Sequence, residues 1–180
     1  MTTIPPLMST EMPEVLDAWR MVAGRRQFRG RWPLAAFPRL RDSLVDVDGE
    51  VQASLAFDRT VSGQACAELR IRAGLPLQCQ RSLQRFVHPV DIRQQLGLIR
   101  DEADEAALPE GCEPLLLADD GRLRPVEVVE DELILAVPVI PVAPGTEAID
   151  RHWPVDAREA ASSHPFAALA ALKRDDRDAT

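Results

Sequence analysis

The middle of the chain shows a strict alternation of apolar and polar residues. In Glu50–Asp58 every second side chain is apolar, which is the period of a half-buried β-strand. The same period returns in Ala65–Arg72, and the stretch from Leu75 to Leu98 continues as further strands. Because the breaks between these stretches are short and hold no helical pattern, the sequence predicts consecutive antiparallel strands in a meander or partial barrel.

Helical spacing predicts two packing helices on either side of these strands. Thr10 can cap a first helix, which presents Val15 and Trp19 at helical positions and stops at Gly24. The second helix spans Pro125–Val137, with a proline at its first position and another directly after its last. Apolar residues recur along it at steps of three and four, and the opposite side carries acids, namely Glu127, Glu130 and Asp131.

These patterns predict an α+β fold, in which an antiparallel sheet or partly open barrel is packed by two or three helices. A turn of helix is expected in Ala35–Leu44. Residues 1–48 would supply the N-terminal helix and a basic extended segment, and residues 49–138 the sheet core with its packing helix at 125–137. Residues 139–180 are expected to form a flexible C-terminal tail that ends in a short helix over Ser162–Arg174.

Composition limits the classes of protein that fit this pattern. The chain has 180 residues, of which 46% are hydrophobic, so it can bury the core of one domain. No apolar run reaches the ~20 residues of a membrane helix. The N-terminus lacks a secretion signal, so we expect a cytoplasmic location and no membrane partner. A net charge of −8 argues against nucleic-acid binding over the whole surface.

The charge is distributed unevenly, however. Arg20 to Arg41 contains seven arginines and no acid, whereas Asp101 to Glu132 contains twelve acids and two arginines. In the basic segment, arginines that suit phosphate alternate with aromatic rings that suit base stacking. The pattern predicts an RNA-binding strip of Arg25, Arg26, Arg29, Arg31, Phe28 and Trp32, extended by Arg81 and Arg85 if the strands bring them near. The alternative is a solvated edge strand whose aromatic residues fill the core and whose arginines pair with the acidic segment.

Signals for catalysis or metal binding are weak. The three cysteines are widely spaced, and Ser82 stands where a zinc site that begins at Cys79 would need its second thiolate. The histidines lie near prolines, and the chain has neither a nucleophile elbow nor a glycine-rich phosphate loop. We therefore expect no enzymatic activity, no cofactor and no bound metal.

Three pieces of the sequence together resemble the YceD family, which is named for accumulation of large-subunit ribosomal RNA. They are LQCQRSLQRF, VEVVEDELILAVPVIPV and HPFAALAALKR, within Gly49–Arg174. The residues that carry the resemblance are Cys79, Gln80, Arg81, Glu132, Pro138, Pro165 and Phe166. Family members commonly have C-x-x-C in the first piece, and some have further cysteines after the helix. Here Ser82 replaces the second cysteine and Val139–Ile149 has none, so a shared function cannot depend on a thiol pair.

The resemblance implies a ribosome-biogenesis factor that supports the synthesis, maturation or stability of large-subunit (23S) ribosomal RNA. Together with the basic strip, it favours binding of this RNA or its precursor over catalysis. The alternative is an acidic protein-binding module or chaperone, which would dock a basic ribosomal protein on Asp101–Glu132.

Overall fold

A six-stranded sheet forms the centre of the protein. The structure is a computed structural model and describes residues 10–146. The strands lie in the order β1-β3-β4-β5-β6-β7, and β2 and β8 form a separate two-stranded sheet. In chain order the strands are β1 (Thr10–Glu11), β2 (Leu16–Asp17), β3 (Gln27–Pro33), β4 (Glu50–Arg59), β5 (Ala65–Gln78), β6 (Arg85–Ile99), β7 (Cys112–Leu116) and β8 (Arg122–Leu123).

The predicted antiparallel sheet is confirmed for its four central strands. Strands β3 to β6 follow one another as an antiparallel meander. Short turns connect β4 to β5 and β5 to β6, whereas residues 34–49 between β3 and β4 hold a 3₁₀ turn and a short helix. The two outermost strands, β1 and β7, instead pair parallel with β3 and β6. Since β1 and β7 do not pair with each other, the sheet stays open rather than closing into a barrel.

Short helices accompany the sheet, which confirms the predicted α+β class. They are α1 (Ala18–Ala23), α2 (Pro38–Arg41) and α3 (Pro125–Ala136), with 3₁₀ turns at Leu34–Ala36 and Glu102–Ala107. The predicted helix at Pro125–Val137 is thus confirmed to within one residue. The turn of helix predicted in Ala35–Leu44 is also confirmed, as α2. Helix α3 places Leu133 fully inside the core, as its apolar spacing requires.

The predicted helix from Thr10 is wrong in its first half. Thr10–Glu11 is a strand, and the N–H of Met12 continues the pairing by donating to the Arg29 carbonyl at 2.8 Å. Helix α1 begins only at Ala18, because Asp17 caps it by accepting a hydrogen bond from the Arg20 N–H at 3.0 Å. Pairing with a distant strand therefore replaces the local helical preference.

The position of Glu130 also differs from the prediction. Its side chain was expected on the solvent side of α3, yet the residue is only 3% exposed. Its carboxylate accepts hydrogen bonds from the backbone N–H groups of Arg39 and Leu40, at 2.7 and 3.2 Å. The buried charge is thus satisfied by the N-terminal end of α2, to which α3 packs.

The further strands predicted in Leu75–Leu98 are confirmed as the end of β5 and most of β6, and the motif LQCQRSLQRF contains the turn between them. Cys79–Gln84 forms the turn between β5 and β6, and Leu83 adopts a left-handed backbone conformation with φ of 58°. The N–H of Gln80 donates to the Pro141 carbonyl at 2.9 Å. The turn therefore packs against the segment that follows α3.

The chain divides into two units, Met1–Thr146 and Glu147–Thr180, and all described residues belong to the first. The predicted helix at Ser162–Arg174, with Pro165 and Phe166, lies outside the described residues. The divisions proposed at residues 48 and 138 stay predictions.

Candidate nucleic-acid interface

The side chains of β3 to β6 that point away from the core define what we call the outer face of the sheet. Strand register aligns these residues into rows. One row contains Arg29, Ser54, Arg70 and Arg93. The next row, two residues along each strand, contains Arg31, Gln52, Arg72 and Asp91. The two rows together place five exposed arginines on one face.

A groove of about 730 Å³ follows these two rows. Arginines of β3 stand on one side of it and those of β5 and β6 on the other. Between them, β4 contributes the uncharged side chains of Gln52 and Ser54. Glu11 of β1 completes the groove beside Arg29, its partner in the parallel register. The sides of the groove therefore carry five arginines together with the carboxylates of Glu11 and Asp91, and its centre is uncharged.

Glu68 orients two of the five arginines. Its carboxylate accepts a hydrogen bond from Nη2 of Arg93 at 2.7 Å and another from Nε of Arg70. The hydrogen bond from Arg70, followed by that from Arg93, holds the pKa of Glu68 below its usual value although burial opposes this. Glu68 is therefore ionised at neutral pH, and it fixes two guanidinium groups above the sheet.

The other three arginines of the outer face, Arg29, Arg31 and Arg72, are held less firmly by neighbouring carboxylates. Arg72 Nε lies 3.2 Å from Asp91 Oδ2, and Arg31 Nε lies 3.3 Å from Glu50 Oε1. Both pairs are exposed, with 76% and 66% of the arginine side chains accessible to solvent. In the described part of the chain no ion pair holds Arg29. Exposed pairs of this kind contribute only about 0–1 kcal/mol, so another anion can replace the carboxylate.

The structure separates the members of the predicted strip. Phe28 is 5% exposed and meets Phe57 edge to face, with ring centroids 6.2 Å apart, so it cannot stack on a base. Trp32 is half-buried against the core and meets Phe37 in the same way, at 6.3 Å. The aromatic residues thus fill the core, as the alternative interpretation of the segment expected.

The arginines of the strip lie on both the strand and the turn before it. Arg29 and Arg31 belong to the outer face, whereas Arg25 and Arg26 are exposed in the turn before β3. Arg25 Nε lies 3.2 Å from Asp58 Oδ1. The strip therefore contributes two arginines to the groove and two outside it.

Arg81 and Arg85 are distant from the groove. They lie at the tip of the β5–β6 hairpin, eight residues or more from Arg93, which is roughly 26 Å along a strand. Arg81 Nη1 donates to the Thr146 carbonyl at 3.0 Å, and Arg85 forms two hydrogen bonds with Asp46. Both side chains thus bind other parts of the chain rather than extending the row of Arg29 and Arg31.

The sequence prediction missed three arginines of the groove, namely Arg70, Arg72 and Arg93. The alternation in β5 did place Arg70 and Arg72 opposite the buried residues. The sequence did not reveal the register between the strands. In this register Arg70 lies two strands away from Arg29 and directly opposite Arg93. A hairpin interpretation of Ala65–Ile99 with that register would have found the pair of Arg70 and Arg93.

Cys79 joins two segments of the chain. Its Sγ accepts hydrogen bonds from the N–H groups of Ala143 and Ser82, at 3.3 and 3.5 Å, and lies 3.5 Å from Thr146 Oγ1. The N–H of Ala143, followed by the contacts of Ser82, lowers the pKa of Cys79 to about 6. Within residues 10–146 no three His, Cys, Asp or Glu side chains are placed to share a metal ion.

The acidic residues of Asp101–Glu132 do not form one continuous surface. The 3₁₀ turn exposes Glu102, Asp104 and Glu105, whereas Glu130 is buried on α3. Glu132 is half-buried. Burial raises its pKa, and so, to a smaller extent, do the neighbouring charges of Glu113 and Asp131. Only the 3₁₀ turn therefore offers a compact group of exposed carboxylates.

Comparisons with known proteins identify the family of the chain. Residues 67–173 match the model of the family described as "Large ribosomal RNA subunit accumulation protein YceD". The chain belongs to the YceD family. A curated protein of that name from Haemophilus influenzae is 26% identical over 180 residues, covering 93% of this chain and 99% of its own length. No solved structure matches the chain.

The family match includes all three motifs of the resemblance, namely the Cys79–Gln84 turn, helix α3 and the Pro165–Phe166 step. In the described part of the chain, no helix has both the length and the apolar character needed to cross a membrane.

Proposed function

We propose that this protein is a ribosome-biogenesis factor that binds large-subunit ribosomal RNA or its precursor through the outer face of the sheet, without catalysing a reaction. The name of the Haemophilus relative supports a role in accumulation of that RNA. A cytoplasmic location, where the RNA is made, belongs to the same proposal. The observation that carries the binding mode is the pair of rows that brings five arginines together.

The chemistry of these arginines suits a polyanion with regularly spaced phosphates. A guanidinium group presents a planar fork of donors that matches two phosphate oxygens. On the outer face, Arg70 and Arg93 share the single carboxylate of Glu68, so their charge is only partly neutralised there. Each exposed ion pair is worth about 0–1 kcal/mol, and release of counterions from the RNA favours the exchange of carboxylate for phosphate.

Arginine substitutions on the outer face test the binding mode. The test variant is Arg70→Ala/Arg72→Ala, and its matched control is Arg122→Ala/Arg124→Ala, which removes the same charge from exposed side chains away from the groove. Binding to transcripts of 23S rRNA domains would be titrated between 50 and 200 mM salt. We expect the test variant to lose about tenfold in affinity and its log–log salt slope to fall by roughly 1–2, and the control to lose far less.

Equal losses in the two variants would show that the RNA responds to net charge rather than to this groove. Unchanged binding in both would place the RNA away from the outer face, and absence of binding by the unsubstituted protein would remove direct RNA binding from the proposal. Crosslinking of the tagged protein in growing cells would then identify the RNA bound. Crosslinks that concentrate on large-subunit RNA or its precursor are the expected result.

The second candidate is a module that binds a basic ribosomal protein. It is favoured by the exposed carboxylates of the 3₁₀ turn, Glu102, Asp104 and Glu105, on a chain with net charge −8. Replacing these three acids with glutamine or asparagine would then abolish co-purification of the basic protein after nuclease treatment. The Arg70→Ala/Arg72→Ala variant would leave that co-purification unchanged.

A further inference from the structure

The outer face contains no aromatic side chain. The sequence has no tyrosine, and the described tryptophans and phenylalanines all lie elsewhere. Phe86 and Phe28 belong to the core side of the sheet, together with Trp32. Trp19 lies on α1, beneath the guanidinium of Arg100 at 4.6 Å from its ring centroid. Among the described residues the groove therefore offers an unstacked base no aromatic ring, only guanidinium groups, and Glu68 holds two of these, Arg70 and Arg93.

This absence bears on the form of RNA that fits the groove. Proteins that bind unpaired RNA combine a cationic channel with aromatic rings, and each stacked base contributes about 1–3 kcal/mol. Double-helical RNA keeps its bases stacked on one another and is recognised through phosphates and 2′-hydroxyls across its wide, shallow minor groove. A face with guanidinium groups and no rings has the chemistry for the second task.

The spacing of the side chains also fits two RNA strands rather than one. From β3 to β6 the row of Arg29 crosses three interstrand intervals, or about 14 Å, and the row of Arg31 lies about 7 Å further along the strands. Cations thus stand on both sides of the groove, where the phosphates of two strands would lie. The hydroxyl of Ser54 and the amide of Gln52 lie between them, within reach of 2′-hydroxyl groups.

We propose that the outer face binds double-helical RNA across its minor groove, and not an unpaired strand. This inference rests on the proposed function, because it names the form of RNA that the same groove takes. The arginines would contact the phosphates of both strands, and Ser54 and Gln52 the 2′-hydroxyls between them. In this arrangement the side chains contact the RNA backbone, so binding depends on the shape of the helix rather than on its sequence.

The test compares three nucleic acids of one sequence with the full-length protein. They are an RNA hairpin with about 16 base pairs, which is the span of a double-stranded RNA-binding domain, the two unpaired RNA strands separately, and the corresponding DNA duplex. We expect the RNA hairpin to bind at least tenfold more tightly than either unpaired strand and than the DNA duplex. A hairpin of unrelated sequence should bind within about threefold of the first.

A variant identifies the source of the preference for RNA. Ser54→Ala/Gln52→Leu should reduce the ratio of RNA-duplex to DNA-duplex affinity several-fold, while Arg70→Ala/Arg72→Ala should weaken both duplexes alike. Unpaired RNA that binds as tightly as the hairpin would overturn this inference and leave the proposed function standing. Failure of every RNA to bind, including transcripts of 23S rRNA domains, would overturn both.

Discussion

The carboxylate of Glu130 on α3 accepts hydrogen bonds from both the backbone N–H and the side-chain Nε of Arg39, at 2.7 and 3.0 Å. Because Glu130 also accepts the N–H of Leu40, one buried side chain satisfies two unpaired donors at the start of α2. Arg39 Nη1 lies 2.6 Å from Asp131 Oδ1 as well. The hydrogen bond from Asp131, followed by that from Glu130, raises the pKa of Arg39. A segment 91 residues away in the chain thus supplies the cap of this helix.

Removal of the Glu130 carboxylate should destabilise the fold more than removal of any exposed acid of α3. Glu130→Ala leaves the N–H groups of Arg39 and Leu40 without their acceptor, and we expect it to lower the free energy of unfolding by about 3–4 kcal/mol. Glu130→Gln should cost about 1–2 kcal/mol, because its amide oxygen can still accept from the backbone. Urea denaturation measures both values.

Glu127→Gln is the matched control for Glu130. Its carboxylate is 63% exposed on the same helix, and its only ion pair in the described part of the chain, with Arg124, is long at 3.7 Å. We expect a change within about 0.5 kcal/mol. If Glu130→Ala were as stable as this control, the cap would contribute nothing to folding.

Gly30 should not tolerate a side chain, because the ring of Trp32 covers it. A Cβ built on Gly30 overlaps the six-membered ring of the indole. We therefore expect Gly30→Ala to destabilise the protein by about 1–3 kcal/mol and to alter tryptophan fluorescence. Adding Trp32→Leu should remove much of the Gly30→Ala penalty, which a double-mutant cycle would measure. Strict additivity of the two substitutions would contradict the overlap.

Neutralising Glu68 should strengthen RNA binding while it weakens the fold. Glu68→Gln removes the charge that competes with phosphate for Arg70 and Arg93. We expect about two- to fivefold tighter binding at low salt and a loss of stability below about 1 kcal/mol. The control Asp120→Asn makes the same charge change beside Arg122, away from the groove, and should leave the affinity nearly unchanged. Weaker binding of Glu68→Gln would place the RNA elsewhere.

The buried thiol of Cys79 should make stability depend on pH. Its pKa in the folded state is about 6, below its ordinary value near 9, so the folded state favours the thiolate. This contribution is fully present above about pH 9 and is lost as the pH falls through 6. In denaturation experiments, the difference in free energy of unfolding between the wild type and Cys79→Ser should therefore shrink as the pH falls from about 9 to about 6.

Local patterns in the sequence predicted the strands and the helix whose formation depends on residues that are close in sequence. The alternation in β4 and β5 identified their buried faces, and the spacing after Pro125 identified α3. Both patterns follow from which side of one element is buried. The prolines before and after α3 also limited its ends, since proline restricts helix continuation.

Long-range pairing explains what the sequence could not predict. Thr10 joined a strand, rather than a helix, because the edge of β3 was available beside it. Glu130 was expected in solvent because its partner Arg39 lies far away in the chain. The groove likewise needed a register that sets Arg29, Arg70 and Arg93 in one row, and no periodicity within a single strand contains that information.

The meander of β3 to β6 has a consequence for how the chain folds. Its strands are neighbours in sequence, and the β4–β5 and β5–β6 hairpins close short loops at low entropic cost. The contact of Glu130 with Arg39 closes a far longer loop. Residues 27–99 can therefore assemble first during synthesis, with α3 sealing the core afterwards. The arginines of the groove belong to residues 27–99, so the surface proposed for RNA can form before synthesis of the chain is complete.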